Sequence, residues 1–427
     1  MKKANVLSLS FASMCLTVFL PFSAGHYISF VFRSINAVLA PYLTAELSMN
    51  AAQFGLLTGA YFLAFAMAQL PVGLALDRWG PRKVQLCLLG LAVAGSLLFA
   101  FGTGFYSLFA ARVLIGIGLS ACFMSSITAV SFWVEKNKLP TIHSSLIAVG
   151  GIGAMSATLP VLWLLHAMTW RTMFIVMAAV TAAIGLAIYF ISPPEPKAHK
   201  ARDVSLSSLL EVAANSNFRR TAALLLAPHA VAFGLQGLWL GQWLHDSGGL
   251  SNDAVARLLF IGMGAIVAGS LSVGAITQWA AKRGIKPIDV AGIGVLLFLF
   301  VQVLAFCGNV TLSPYVSVAF TLMGTIAGLD YTIVAQNVPP AMTGRAATCL
   351  NLLIFIGAFA VQTGFGLILG FWSTRNGMYP DIAYRAAFAA VIALQLPGVV
   401  AWLMDIWRTK VSGSRDLRLD LEKGSTD

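Results

Sequence analysis

Eleven stretches of this sequence run for nineteen residues or more without Asp, Glu, Lys or Arg: 4–32, 47–76, 84–111, 113–134, 139–170, 172–194, 221–245, 258–281, 290–329, 346–374 and 386–404. Nothing else constrains the chain as strongly, because about 20 predominantly apolar residues are what one helix needs to cross a bilayer. Ten of the runs suffice for one span each. The run 290–329 is long enough for two, divided near Gly308-Asn309 and Ser313-Pro314, which makes twelve. Lipid offers no partner for an open backbone, so twelve such segments mean twelve transmembrane helices and an all-α integral membrane protein. Only 10% of the residues are charged, against about 25% in ordinary soluble domains. Soluble enzymes, nucleic-acid binders and secreted scaffolds are excluded.

The formal charge of +11 would suggest nucleic acid in a soluble protein, but its placement gives topology instead. Most of the 27 Lys and Arg fall in the amino terminus, the even-numbered loops and the carboxyl tail, among them Lys2, Lys3, Arg82, Lys83, Lys136, Arg219, Lys282 and Arg408. Arg171, Arg257, Arg375 and Arg385 lie near the opposite face, and Arg33 and Arg112 lie within spans. Basic residues accumulate on the cytoplasmic side, so the expectation is a multi-pass protein of the cell inner membrane with both termini cytoplasmic and no nucleic-acid partner. The start, Met1-Lys2-Lys3 before an apolar stretch, imitates a secretory signal. Phe22-Ser23-Ala24 has Phe where a small residue is wanted, and cleavage there would cut the first span, so the segment is read as uncleaved. The five cysteines form no CxxC or CxxH pair, which indicates neither a disulfide framework nor a metal site. No cofactor is implied.

One longer polar stretch, opening Ser192-Pro193-Pro194-Glu195-Pro196-Lys197, divides the chain. The expected organisation is an N-terminal six-helix half (1–191), a central cytoplasmic loop (192–218), a C-terminal six-helix half (219–407) and a solvated, disordered tail (408–427). Six plus six about a central loop is the plan of a transporter built from repeats. Two helices carry a trace of the repeat. His26, Phe30 and Arg33 match His229, Phe233 and Gln236 at an offset of 203 residues. Residues seven apart share a helix face, so His26 looks the same way as Arg33, and His229 the same way as Gln236.

Between the second and third spans stands Gly73-Leu-Ala-Leu-Asp77-Arg78-Trp-Gly80-Pro-Arg82-Lys83. Gly73 would permit close helix approach and Gly80 a tight turn. Asp77 can accept hydrogen bonds from a neighbouring helix terminus or an arginine, as a latch between halves that breaks when they rock. This loop resembles the signature of the major facilitator superfamily, and the stretch after the eighth span, Gly274 to Gly284 with Gln278 in place of the acid, reads as a degraded copy. The fourth span opens Arg112-Val-Leu-Ile-Gly116-Ile-Gly118, which resembles the superfamily element whose arginine is linked to proton coupling. An arginine inside a span costs at least ~2.5 kcal/mol on insertion scales, so Arg112 needs a partner or water. It is equally readable as a structural arginine bonded to neighbouring helices.

Arg33 is the most informative residue. Its stretch, Arg33-Ser-Ile-Asn36 running on to Pro41-Tyr42, resembles the first helix of the organophosphate/phosphate antiporters, where an arginine at this spacing before Pro-Tyr binds the substrate phosphate. Chemistry supports an anion site without the resemblance, since a guanidinium is always charged and offers a donor fork suited to carboxylate or phosphate. Those antiporters carry a second arginine in the seventh helix, where this chain has His229, Gln236 and Gln242 with Trp239 and Trp243. A monocarboxylate, a zwitterion or a larger ring-bearing anion stacked on tryptophan is therefore better matched than a dianionic phosphate. Nitrate porters use an arginine in the second helix, absent here over 52–74, and drug/proton antiporters carry a Gly-Pro in their fifth, absent from Gly150–Pro160. The titratable groups at membrane depth are Asp330, His26 and His229.

The expected function is proton-coupled uptake of a small organic anion by alternating access, by a monomer and without enzymatic activity. Arg33, His26, His229, Gln236 and Trp239 would form the substrate site, Asp330 and Arg112 would serve proton coupling, and Gly73, Asp77, Arg78, Gly80, Arg82 and Lys83 would form the gating loop. Two rival readings are an efflux antiporter for amphipathic compounds and a transporter-like ligand sensor.

Overall fold

The computed structural model describes residues 11–134, 139–194, 206–339 and 342–423; residues 195–205 of the central loop with most of its charges, and Lys2, Lys3, Lys136 and Lys138, lie outside them. Among the described residues eleven helices are long and apolar enough to cross a bilayer. They are α1 (Ala12–Ser34), α2 (Ala51–Trp79), α3 (Pro81–Phe101), α4 (Phe105–Ser131), α6 (Trp170–Ile191), α7 (Ser216–Asp246), α8 (Asn252–Ala281), α9 (Pro287–Cys307), α10 (Val310–Asn337), α11 (Thr343–Leu369) and α12 (Asp381–Arg408). A pair bent by 41°, Ser145–Ser156 with Leu159–Ala167, supplies α5 and the twelfth span. The chain is a multi-pass, all-helical membrane protein; among the described residues β pairing is limited to one isolated bridge, Arg375 with Met378.

Local chemistry sets the helix ends. Asn50 and Gln53 form a capping box at the start of α2, which satisfies donors that the first turn leaves open. Asn215 caps α7 by accepting from the amides of Asn217 and Phe218 at 3.0 and 3.1 Å. The run 290–329 divides where expected. Gly308, at φ +68°, ends α9, and Asn309 accepts from the amides of Thr311 and Leu312. Gly80, at φ +79°, joins α2 to α3, with Pro81 in the first turn of the new helix. Two segments are more helical than their sequence suggests. Leu206–Ala214 forms a short helix and α7 already starts at Ser216, inside the expected central loop. The last helix continues to Lys423, correcting the expected disordered tail.

Regular geometry breaks at a few places, several of them around one level of the bundle. The α1 helix stops at Ile35 and resumes as Asn36–Leu47, α5 bends ahead of Pro160, α7 widens into a π turn at Leu235–Trp239, and α10 tightens into a 3-10 turn at Thr325–Gly328 just before Asp330. Broken helices at membrane depth are tolerated where they are buried in protein or line a cavity. The first six spans meet the last six along α2 on α11, α5 on α8, and α1 on α7. Near the start of α2 the packing is closest. A Cβ on Gly55 would sit 2.9 Å from the Gln362 carbonyl, and one on Gly366 would sit 2.5 Å from that of Ala51. The Tyr379 hydroxyl accepts from the Ala51 amide at 2.8 Å and ties the α11–α12 loop to α2. Further along, α1, α5, α7 and α8 separate around a cavity of about 480 Å³.

Candidate functional site: a cationic cavity between α1, α5, α7 and α8

Helical periodicity places His26, Phe30 and Arg33 on one side of α1. Arg33 is half-buried and lines the cavity. Its guanidinium carbon lies 3.9 Å from the centroid of Phe30 and 4.7 Å from that of Phe233 on α7. Among the described residues its side chain has neither an ion pair nor a hydrogen bond, so the contacts found are aromatic. Such ring faces attract a cation by about 0.5–2 kcal/mol, yet they leave its donor fork unused. A permanent cation with free donors, held in a cavity of drug-sized volume, is suited to an anion.

The two matched His–Phe pairs have the same local geometry. His26 packs edge-on against Phe30 at 4.9 Å and His229 edge-on against Phe233 at 4.7 Å. The two phenylalanines, one from each set of six spans, flank the same guanidinium. Gln236 lines the cavity inside the π turn of α7 and reaches Met263 Sδ with its Nε2 at 3.7 Å.

The two histidines have different surroundings. His26 is buried against Phe30 and Phe123, with its Nε2 pressed against Gly150. It is one turn from the cavity and does not line it. His229 Nδ1 lies 2.7 Å from Asp330 Oδ2, and Asp330 is fully buried. The other oxygen, Oδ1, accepts from the Tyr331 amide at 2.7 Å, and the Tyr331 hydroxyl donates to Asn351 Oδ1 at 2.8 Å. A buried charge needs a partner. This carboxylate has an imidazole from α7, one turn from the ring that touches Arg33.

Trp239 sits apart from these groups. It is buried, donates to the Gln362 carbonyl at 2.8 Å and stacks on Phe365. Its Cζ2 lies against Gly55 and Gly366 in the α2–α7–α11 packing, and it does not line the cavity. Arg112 is fully buried beside the stacked pair Phe99 and Phe174. It donates to the Phe32 carbonyl at 3.2 Å and to Asn36 Oδ1, which pins the break in α1 just past Arg33.

In the loop after α2, Arg82 donates to the Tyr189 carbonyl of α6 and Arg78 lies 5.4 Å over its neighbour Trp79. Asp77 is half-buried and Lys83 exposed. Gly73 is corrected in its reason. A Cβ there would meet nothing within 4 Å, so no helix approaches it closely. Among the described residues no cluster of three or more potential metal ligands occurs, and all five cysteines are unpaired.

Sequence reasoning missed Phe30 and Phe233 as cavity residues and the whole contribution of α5 and α8. The His-xxx-Phe spacing was the available signal for the rings. The Gly150-Gly151-Ile-Gly153 stretch was readable only as a packing surface, because facing is not encoded in one helix alone.

Residues 22–362 match the family model of the Major Facilitator Superfamily. The chain belongs to that superfamily. Solved structures agree on the major facilitator fold. A bacterial homologue of the human lysosomal transporter Spinster, inward-facing and unoccupied, superposes with a TM-score of 0.74 at 17% identity, covering 92% of this chain and 96% of that one. The nucleoside transporter NupG superposes at 0.71 with 16% identity, covering 90% and 98%. Among curated proteins, the probable sulfoacetate transporter SauU of Cupriavidus necator is 27% identical over 219 residues, 50% of this chain. The match spans about half of that relative's length, 49%. The family and the solved neighbours point to a transporter rather than an enzyme.

Proposed function

We propose that this transporter imports a small organic anion together with protons, and that Arg33 binds the anion. The observation that carries the reading is the Arg33 guanidinium. It faces a cavity bounded by both sets of six spans, with aromatic rings beside it and no acid paired with it among the described residues. The likeness to a probable sulfoacetate transporter supports an anionic substrate. His229 and Asp330 are the proton-carrying pair in this reading, supported by their burial and by the 2.7 Å between imidazole and carboxylate one turn from the cavity. The distribution of Lys and Arg supports cytoplasmic termini in an inner membrane. The end closed by Tyr379 and Ala51 is then extracytoplasmic, and rocking of the two six-helix halves (1–191 and 219–407) would alternate access. Asp77, Arg78, Arg82 and Lys83 would gate the cytoplasmic side, and a monomer suffices.

The test begins with thermal shifts of the purified protein against carboxylates, sulfonates, organophosphates and lipophilic cations. A ligand at 100 times its Kd stabilises the folded state by ~2.7 kcal/mol. The hit is then followed into proteoliposomes under an imposed pH gradient. Accumulation of one anion class that requires both the gradient and Arg33 is the expected result. Shifts by lipophilic cations that survive Arg33→Ala, with export of those cations, would overturn it in favour of efflux. Binding without flux would make the protein a sensor.

A further inference from the structure

The wall facing Arg33 has a different character from the cation itself. Among the described residues Arg33 is the only charged side chain that lines the cavity, and its polar companions are small or neutral: Ser34, Gln236 and Ser270. The remainder is apolar, and much of it comes from α5 and α8 through Ile147, Gly151, Met263, Val267 and Leu271. Gly151 and Val267 both line the cavity, and a Cβ added at Gly151 would lie 3.1 Å from Val267 Cγ2.

We infer that the substrate is an amphipathic monoanion, with one carboxylate or sulfonate on Arg33 and a bulky apolar body lying against the α5–α8 wall around Gly151 and Val267. This rests on the reading of Arg33 as the anion site. Charge counting limits the ligand to one negative group. A second anionic group would enter a low-dielectric wall with no cation to receive it, and unpaired charges are costly there. Volume and lining require the body. The cavity, about 480 Å³, falls within the roughly 300–1,000 Å³ of sites for drug-sized ligands. A two-carbon dianion would fill little of it and leave apolar walls against water. The apolar surface is on α5 and α8, whereas Trp239 is committed to packing elsewhere.

The experiment measures equilibrium binding to the full chain in lipid nanodiscs, with four probes: 2-naphthoate, naphthalene-2,6-dicarboxylate, acetate and sulfoacetate. The first two share a skeleton and differ by one charge; the last two lack the apolar body. The expected result is that 2-naphthoate binds tighter than each of the others by about tenfold or more. Gly151→Leu and, independently, Ser270→Phe should each weaken it by about fivefold or more. Two variants on opposite helices keep the test valid if one fails to fold. If the dicarboxylate or sulfoacetate binds as tightly as 2-naphthoate and depends on Arg33, the monoanion inference is overturned while the anion site stands. If 2-naphthoate binds tightest but is indifferent to Arg33→Ala, the anion-site reading beneath it falls. Failure of 2-naphthoate to bind, or binding unaffected by both wall variants, overturns the apolar seat.

Discussion

The first and seventh helices begin from the same local pattern and end with different chemistry. Each presents a histidine edge-on to a phenylalanine one turn away, and each phenylalanine lies beside the Arg33 guanidinium. Beyond that the two diverge. The seventh-helix histidine has a buried carboxylate at 2.7 Å, whereas its counterpart on the first helix has rings and a glycine around it. At the third position the first helix supplies a permanent cation and the seventh a neutral amide. A duplicated scaffold can thus divide tasks. In the proposed reading one copy would keep the fixed charge that attracts an anion and the other the group that changes charge, with Phe233 in contact with both Arg33 and His229.

The largest expected effect comes from removing the cation. Arg33→Ala should weaken anion binding by about 30-fold or more, the cost of losing one partner of a buried charge contact. An affinity unchanged in calorimetry would erase the distinction between the helices. Next is the titratable pair. Asp330→Asn should abolish gradient-driven accumulation while sparing counterflow exchange, and His26→Phe should leave both intact. Equal sensitivity at His26 and His229 would mean that the paired carboxylate is not what separates them. A sharper test moves the charge. In the double variant Arg33→Gln with Gln236→Arg, a cation on the seventh helix should restore part of the binding lost in Arg33→Gln alone. No recovery would tie the site to the geometry of the first helix.

Gln236→Ala should cost only about three- to tenfold in affinity, as for one neutral hydrogen bond. The smallest effect lies at the far end of the first helix. Glu46 accepts from Arg171 and from the Trp170 indole, each at 2.6 Å, and these bonds hold its carboxyl below its ordinary value of 4.5. A depressed carboxyl contributes stability above its unfolded value that is lost as pH falls through the folded one. Melting temperature should therefore drop on acidification below about pH 4.5. Glu46→Gln should flatten that drop slightly, because the pair is exposed and solvent screens it.

The sequence by itself determined the twelve spans, the division of the run 290–329 at Gly308-Asn309, the tight turn at Gly80 and the presence of an arginine at membrane depth. These follow from hydropathy, charge spacing and backbone chemistry, all of which act over a few neighbouring residues. It also placed His26, Phe30 and Arg33 on one face, since helical periodicity is local. Only the tertiary structure decided which of the polar groups meet. Asp330 and His229 are 101 residues apart in the chain, and nothing in either helix names the other. Trp239 reads on its own as a cavity aromatic, but the approach of α2 and α11 through Gly55 and Gly366 takes its surface for packing. Gly73 reads as a close-contact glycine and faces open space. Gly151 reads as packing and lies at the cavity wall. The common reason is rotational. Inside a bundle that is apolar on all sides, hydropathy no longer marks which face of a helix looks inward, so facing is set by contacts between distant helices.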